Sequence, residues 1–340
     1  MRGRKGSVLG RISVPGKVIL FGEHAVVYGR PALAMAVNLT MRCQLTPSRK
    51  GTWTENGYVI GPRSSPYVIE AHRRAMGIFG KPPVNLNMDI DSEIPSASGM
   101  GSSAAVTVVT IASVLAAHHL EPGDLDINRD LKRKVALISH SVEGMVQGKA
   151  SPVDTSTIVQ GGGVLVSASR EDGLEQLWST KVGGNQWFVH SIPVPENLSV
   201  IVGYSGVKGK TDRMVDRVRH FVEKNSFGME VIDDIEEITR EGVKALSVGE
   251  LSRMGELMKK NHDLLHILGV SHPELEKMID IVSGHVYGAK LMGSGGGGSI
   301  IAVADKNGGE RAAESLREKG YTAFNVSVSM NGLEIDLGRG

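Results

Sequence analysis

A single cysteine, Cys43, in 340 residues rules out an intrachain disulfide framework and a cysteine-based metal cluster. That fits a reducing compartment, and the expected location is the cytoplasm. No apolar run approaches the roughly 18 uninterrupted residues of a membrane helix, and the N-terminus lacks the apolar core of a secretory signal. Arg2, Arg4, Lys5 and Arg11 read as a solvated tail or a tag remnant, with a basic membrane anchor as the weaker alternative. Charge of one sign is also lacking: a net charge of +1 gives no reason to expect nucleic acid. No internal repeat is evident. With 41% apolar residues the chain has the composition of a folded protein with a sizeable core and the length of two domains. Its expected partners are small molecules or proteins, and a homodimer is left open.

Glycine is abundant. Forty-three glycines are close to twice the usual share of about 7%, and they cluster instead of repeating. The most informative cluster is Glu93-Ile-Pro-Ser-Ala-Ser-Gly-Met-Gly-Ser-Ser-Ala-Ala-Val, a loop of small residues running into a long apolar segment. Gly99 and Gly101 let the backbone turn sharply and approach a ligand. Ser102, Ser103 and Ala104 open the following segment, apolar nearly all round over 104–117, which predicts a buried helix. Backbone N–H groups at its start and the positive end of its dipole suit a phosphate. A Ser/Gly turn that merely caps a core helix is the competing reading.

Residues 12–21 predict a strand interrupted early by Pro15-Gly16, followed by Gly22-Glu23-His24. Lys17 lies inside this apolar strand, so its ammonium must reach solvent or meet an anion, either carboxylate or phosphate. Glu23 and His24 stand at the strand's end, where polar groups often touch a ligand, although a surface turn would read the same. Residues 32–47 predict a strand, 48–65 a mobile hairpin or excursion, 66–80 a helix, and 84–90 a half-buried strand with Asn85, Asn87 and Asp89 outward. A helix over 131–148 carries Glu143 beside its apolar stripe, where it would want a cation or metal unless it is simply solvated. Asp154 follows in what reads as a loop of small residues before Gly161-Gly-Gly and a strand at 164–167.

A domain boundary falls between strands at 187–195 and 198–204, dividing the chain into 1–190 and 191–340. Gly206-Val-Lys-Gly-Lys-Thr looks like the end of a Walker A loop, but the position required to be glycine holds Tyr204. Four helices are expected at 212–224, 230–247, 249–268 and 273–284. The run Gly293-Ser-Gly-Gly-Gly-Gly-Ser then leads to a strand at 300–304, a helix at 308–319 and strands near 323–328 and 333–337. So many glycines are costly in entropy to order, so this loop is expected to close on something rather than wave freely.

A phosphate cradle, a cation, oxygen ligands for magnesium and a carboxylate near an accepting hydroxyl are the parts that phosphoryl transfer needs. The residues therefore point to a nucleotide-dependent kinase without choosing its substrate. Three stretches, Pro15-Gly-Lys-Val-Ile-Leu-Phe-Gly-Glu-His-Ala-Val-Val-Tyr-Gly29, Ile94-Pro-Ser-Ala-Ser-Gly-Met-Gly-Ser-Ser-Ala-Ala105 and Lys290-Leu-Met-Gly-Ser-Gly-Gly-Gly-Gly298, resemble the three motifs of the GHMP kinases in order and spacing. The first motif, with Asn261-His-Asp-Leu-Leu-His-Ile-Leu-Gly-Val-Ser-His-Pro-Glu-Leu, resembles the branch that acts on mevalonate.

The resemblance implies an α+β protein of two domains, an N-terminal α/β domain of the ribosomal-protein S5 type and a C-terminal ferredoxin-like domain, with the active site in the cleft between them. It implies ATP, Mg²⁺ and transfer of the γ-phosphate to the primary hydroxyl of mevalonate. Asp154 would match the catalytic aspartate, as base or orienting charge, with Lys17 beside it. Glu23 and His24 would line the substrate pocket, with Thr211 near substrate or phosphate. Ser98, Gly99, Met100, Gly101, Ser102, Ser103 and Ala104 would hold the ATP phosphates, joined by Gly293, Ser294, Gly295 and Gly296, while Ser103 and Glu143 would hold the metal. Asp154 follows Glu143 by the family's eleven residues; Met100 departs from the family's usual leucine. Rivals are a related kinase for phosphomevalonate, homoserine or a sugar, and a non-catalytic nucleotide sensor. The first would need more cations than Lys17 and Arg30 when its acceptor is phosphorylated. The second would be expected to lack Lys17 or Asp154.

Overall fold

The computed structural model describes residues 8–48, 51–60, 65–81, 85–96, 98–119, 127–147, 151–182, 184–195 and 197–337. Arg2, Arg4 and Lys5, read as a tail, Val84, read as the start of a strand, and residues 148–150, leading to Asp154, lie outside them. β1 (Gly10–Phe21) pairs antiparallel with β2 (Ala32–Pro47), and their register slips between Pro15 and Gly16. Proline has no N–H for the ladder, so the strand bulges there and continues. A hairpin of β3 (Trp53–Glu55) and β4 (Tyr58–Val59) occupies the expected excursion.

After α1 (Pro66–Phe79), β5 (Leu86–Ser92) pairs with the far half of β2. Its alternation holds: Leu86, Met88 and Ile90 are buried, while Asn87 and Asp89 accept hydrogen bonds from Thr52 N and Thr54 Oγ1 at 2.9 and 2.6 Å. α2 (Ser102–Ala116) is buried without a break from Ala104 to Ala116, as an all-apolar helix must be. It packs against α1 and α3 (Arg129–Gln147).

Where a loop was expected around Asp154, the chain forms α4 (Val153–Gln160). This short helix, rich in Thr and Ser, has too few turns to display a 3.6-residue period. Then β6 (Gly163–Ser167) pairs with the near half of β2, and β7 (Glu175–Val182) and β8 (Asn185–Ile192) extend the sheet beyond it. β7 was not anticipated from sequence. A bulge between Gln176 and Trp178 puts Leu177 and Trp178 both inside and breaks the alternation that marks a strand.

The second half opens with β9 (Ser199–Tyr204) and four helices, α5 (Thr211–Lys224), α6 (Gly228–Val248), α7 (Leu251–Ile267) and α8 (Pro273–Val282). β10 (Gly288–Met292), β11 (Ser299–Ala304), α9 (Lys306–Glu318) and β12 (Thr322–Val326) follow. The antiparallel sheet has the order β10-β11-β9-β12. Counting the helical block as one connection, this is the β-α-β-β-α-β pattern of ferredoxin-like folds.

The last strand, β13 (Glu334–Leu337), returns to the first sheet and pairs with Gly10–Ser13 of β1. No helix among the described residues is long and apolar enough to cross a membrane.

α7 lies directly on the start of β10. A Cβ on Gly255 would stand 2.2 Å from the Tyr287 carbonyl carbon, with no flexible side chain to yield. Gly255→Ala is therefore expected to destabilise the fold by up to about 3 kcal/mol, the upper end for overpacking, read as a lower urea midpoint at unchanged slope.

Candidate active site

Lys17 settles its sequence ambiguity in favour of an anion. Its Nζ lies 2.9 Å from Asp154 Oδ1, with the lysine side chain 5% exposed and the aspartate 30%. The cation thus comes from inside the protein and the carboxylate keeps an open side. Asp154 sits in the first turn of α4, where the helix dipole favours a negative charge.

The glycine loop is built onto the same lysine. Lys17 N donates to the Met100 carbonyl at 3.0 Å, and a Cβ on Gly101, at φ 79°, would stand 2.9 Å from Lys17 Cγ. Gly101 is the N-cap of α2, so no side chain caps the turn formed by Ser102, Ser103 and Ala104. Gly99 also has positive φ, at 77°. Met100, the departure from the family pattern, is fully buried and serves the core, not the loop's open face. Ser98 is buried too, and its carbonyl accepts from Ser299 Oγ of β11 at 2.7 Å, tying the loop to the second sheet.

Ser103 Oγ donates to Glu143 Oε1 at 3.3 Å. Glu143 is not a solvated surface glutamate: burial, reinforced by the charge of Asp154, pushes its carboxyl up to about 8. His140, one turn earlier on α3, is also buried, and burial lowers its pKa. A hydroxyl and a carboxylate are hard oxygen donors that fit Mg²⁺. Among the described residues no three His, Cys, Asp or Glu gather to cage a metal.

Glu23 and His24 part company. Glu23, 3% exposed, turns into the interior and forms an ion pair with Lys290 of β10, itself fully buried. Burial pushes the Lys290 ammonium's pKa down, and Glu23 works against that shift. His24 has φ 62°, an unusual backbone for a residue with a side chain, and its Nε2 lies 3.0 Å from the Ser294 carbonyl. Burial lowers its pKa to about 4, so the ring is neutral near pH 7 and the carbonyl requires the proton on Nε2.

Ser294 Oγ lies 3.3 Å from Thr211 Oγ1 at the start of α5. The first motif, the third motif and Thr211 therefore meet. The third glycine loop does close, and it closes on the chain itself: Gly296 N donates to the Val270 carbonyl at 2.7 Å and Gly298 N to the Val207 carbonyl at 2.8 Å. Gly293, Gly295 and Gly296 all have positive φ. The stretch resembling Walker A packs here, with the Gly209 Cβ position 2.5 Å from the Gly295 carbonyl oxygen.

Lys290 had no assigned role in the sequence, yet its signal is that of Lys17: a lysine between Ala289 and Leu291 in an apolar strand. Arg30, the other cation of the first two motifs, is engaged by α6, at 2.5 Å from Asp233 and 3.1 Å from Glu236.

Family models match both halves of the chain, GHMP kinases N terminal domain over residues 66–162 and GHMP kinases C terminal over 242–322. A mevalonate kinase of Archaeoglobus fulgidus is 34% identical over 86% of this chain and 91% of its own length. The crystal structure of Methanococcus jannaschii mevalonate kinase matches with a TM-score of 0.77 at 28% identity, covering 96% of this chain and 99% of that one. L. major mevalonate kinase in complex with R-mevalonate matches with a TM-score of 0.77 at 25% identity, covering 96% and 97%.

Proposed function

The chain belongs to the mevalonate kinases of the GHMP kinase family, and from that premise we propose how its residues move the γ-phosphate of ATP to the primary hydroxyl of (R)-mevalonate. The observation that carries the reading is the Lys17–Asp154 pair at 2.9 Å, built against Gly101 at the start of α2. Phosphoryl transfer asks the protein mainly for position and charge. The backbone of Ser98–Ala104 takes the phosphates at the helix N-terminus. Asp154 receives or orients the proton of the accepting hydroxyl, and Lys17 sets the charge around it. His24 and Thr211 stand on the acceptor side, near the third glycine loop. Ser103 and Glu143 would hold Mg²⁺, which would supply neutralisation of phosphate charge.

A phosphorylated acceptor finds little support: Arg30 is already paired, which leaves Lys17 as the one cation of the first two motifs, and that is paired with Asp154. The sensor reading is disfavoured because both Lys17 and Asp154 are present and joined. The buried, free Cys43 is in keeping with a cytoplasmic setting. The test is ADP release with ATP and Mg²⁺, offering mevalonate, phosphomevalonate, homoserine and galactose in parallel. Turnover with mevalonate alone is expected; turnover with another acceptor in its place would replace the substrate.

Glu143 gives a second test. Its pKa is raised from 4.5 to about 8, so between those values the metal-free fold binds more protons here than the unfolded chain. The group's contribution to stability therefore falls as pH rises through that window. On taking a divalent cation near pH 7, Glu143 must release its proton, which calorimetry in buffers of different ionisation heat detects. Glu143→Gln is expected to abolish that release and to raise the Mg²⁺ requirement by about tenfold, the low end for a lost metal-site interaction. An unchanged magnesium titration would remove Glu143 from the metal site.

A further inference from the structure

Lys290 and Glu23 lie 267 residues apart in sequence and form an ion pair in the interior. Lys290 Nζ also donates to the Leu291 carbonyl at 2.8 Å, and Glu23 Oε2 has no partner among the described residues. Such a pair is a poor device for stability alone. Desolvating two charges offsets much of their attraction, and apolar residues of similar volume often do as well. What a buried pair can supply is a fixed register, and its surroundings show what would be registered here.

On one side, Glu23 is followed by His24, whose φ of 62° persists only where neighbours dictate it. On the other, β10 carries Lys290 and runs straight into Gly293 and Ser294, the latter accepting from the His24 ring. β10 is also anchored from α7. Leu291 N donates to His262 Nδ1 at 3.2 Å, which leaves the proton on Nε2, 3.1 Å from Glu276.

We propose that Lys290 is a positioning residue that, through its ion pair with Glu23, holds the His24 turn and the third glycine loop as one unit, setting acceptor against phosphate donor. This rests on the reading above that places His24 on the acceptor side. A small error in donor–acceptor geometry is costly for a transfer that depends on alignment.

The test compares the unaltered chain with the double variant Glu23→Gln/Lys290→Met, which removes the pair without leaving a lone buried charge. Hydrogen exchange is followed at residues 22–29 and 293–298, together with thermal unfolding and steady-state kinetics. We expect an unfolding midpoint near that of the unaltered chain and exchange faster at both segments together. The acceptor kcat/KM should fall at least about tenfold with ATP affinity within a few fold. Exchange unchanged at either segment, or an acceptor kcat/KM equal to that of the unaltered chain, would overturn the proposal. Should the double variant fail to fold, Glu23→Asp, which keeps both charges but draws the carboxylate back by one methylene from the buried Lys290, carries the same comparison. An unaltered chain idle on mevalonate would overturn the choice of acceptor, and the exchange result would then decide on Lys290.

Discussion

Asp154→Asn is expected to cut turnover by at least about 10²-fold while leaving ATP affinity within a few fold, the low end for losing a catalytic acid or base. Asparagine keeps the volume of the side chain and its place in the first turn of α4, so the fold has little reason to move. What it loses is the charge 2.9 Å from Lys17 Nζ and the ability to take a proton from an alcohol. Lys17, 5% exposed, then has no counterion there. ADP release at saturating mevalonate, with nucleotide affinity measured separately, divides the two effects. Retained turnover would take Asp154 out of the reaction.

Gly101→Ala should be nearly as damaging, for a different reason. At φ 79° an alanine there is strained, and its Cβ would stand 2.9 Å from Lys17 Cγ and 3.1 Å from Ile158 Cδ1. Backbone strain of this kind costs roughly 1–2 kcal/mol. The contact does more: it pushes Lys17 off Asp154 and fills the space beside the phosphate loop.

Gly173→Ala is the control, since Gly173 has the same φ of 79° with nothing within 4 Å of its Cβ position. Both variants should lose stability in urea from the backbone strain, Gly101→Ala the more because of its contacts with Lys17 and Ile158. Only Gly101→Ala should also lose at least about 10²-fold in kcat/KM, the scale of a small misplacement of reacting groups. Equal activity in the two variants would mean that the contact with Lys17 is accommodated and that the loop is not the cradle.

Much of the site could be read in the sequence because its members announce themselves locally. A lysine in an apolar strand must reach solvent or an anion, and Lys17 meets Asp154. A glutamate beside an apolar stripe either seeks a cation or is solvated, and Glu143 is buried. The elements were legible where their period was long enough, as in α2 and α3, and illegible where it was short or broken, as in α4 and at the bulge of β7. The direction of Glu23 was hidden for another reason. Nothing near a turn says whether its carboxylate faces a ligand or the interior, and its partner is 267 residues away. Long-range pairing of that kind is fixed only when the two sheets dock.

The return of β13 to β1 bears on how the molecule is made. Residues 334–337 complete the outer edge of a sheet whose first strand begins at Gly10, so on the ribosome that strand, already able to pair with β2, waits until residue 337 has been made before its outer partner exists. Until then the row of N–H and C=O groups along Gly10–Ser13 is an open edge of the nascent protein, able to pair with another chain. Newly made molecules should therefore be most prone to association in the interval before residues 334–337 emerge. A chain ending before Glu334 would keep that exposure for life, on the outer edge of the strand that, four residues beyond Ser13, carries Lys17.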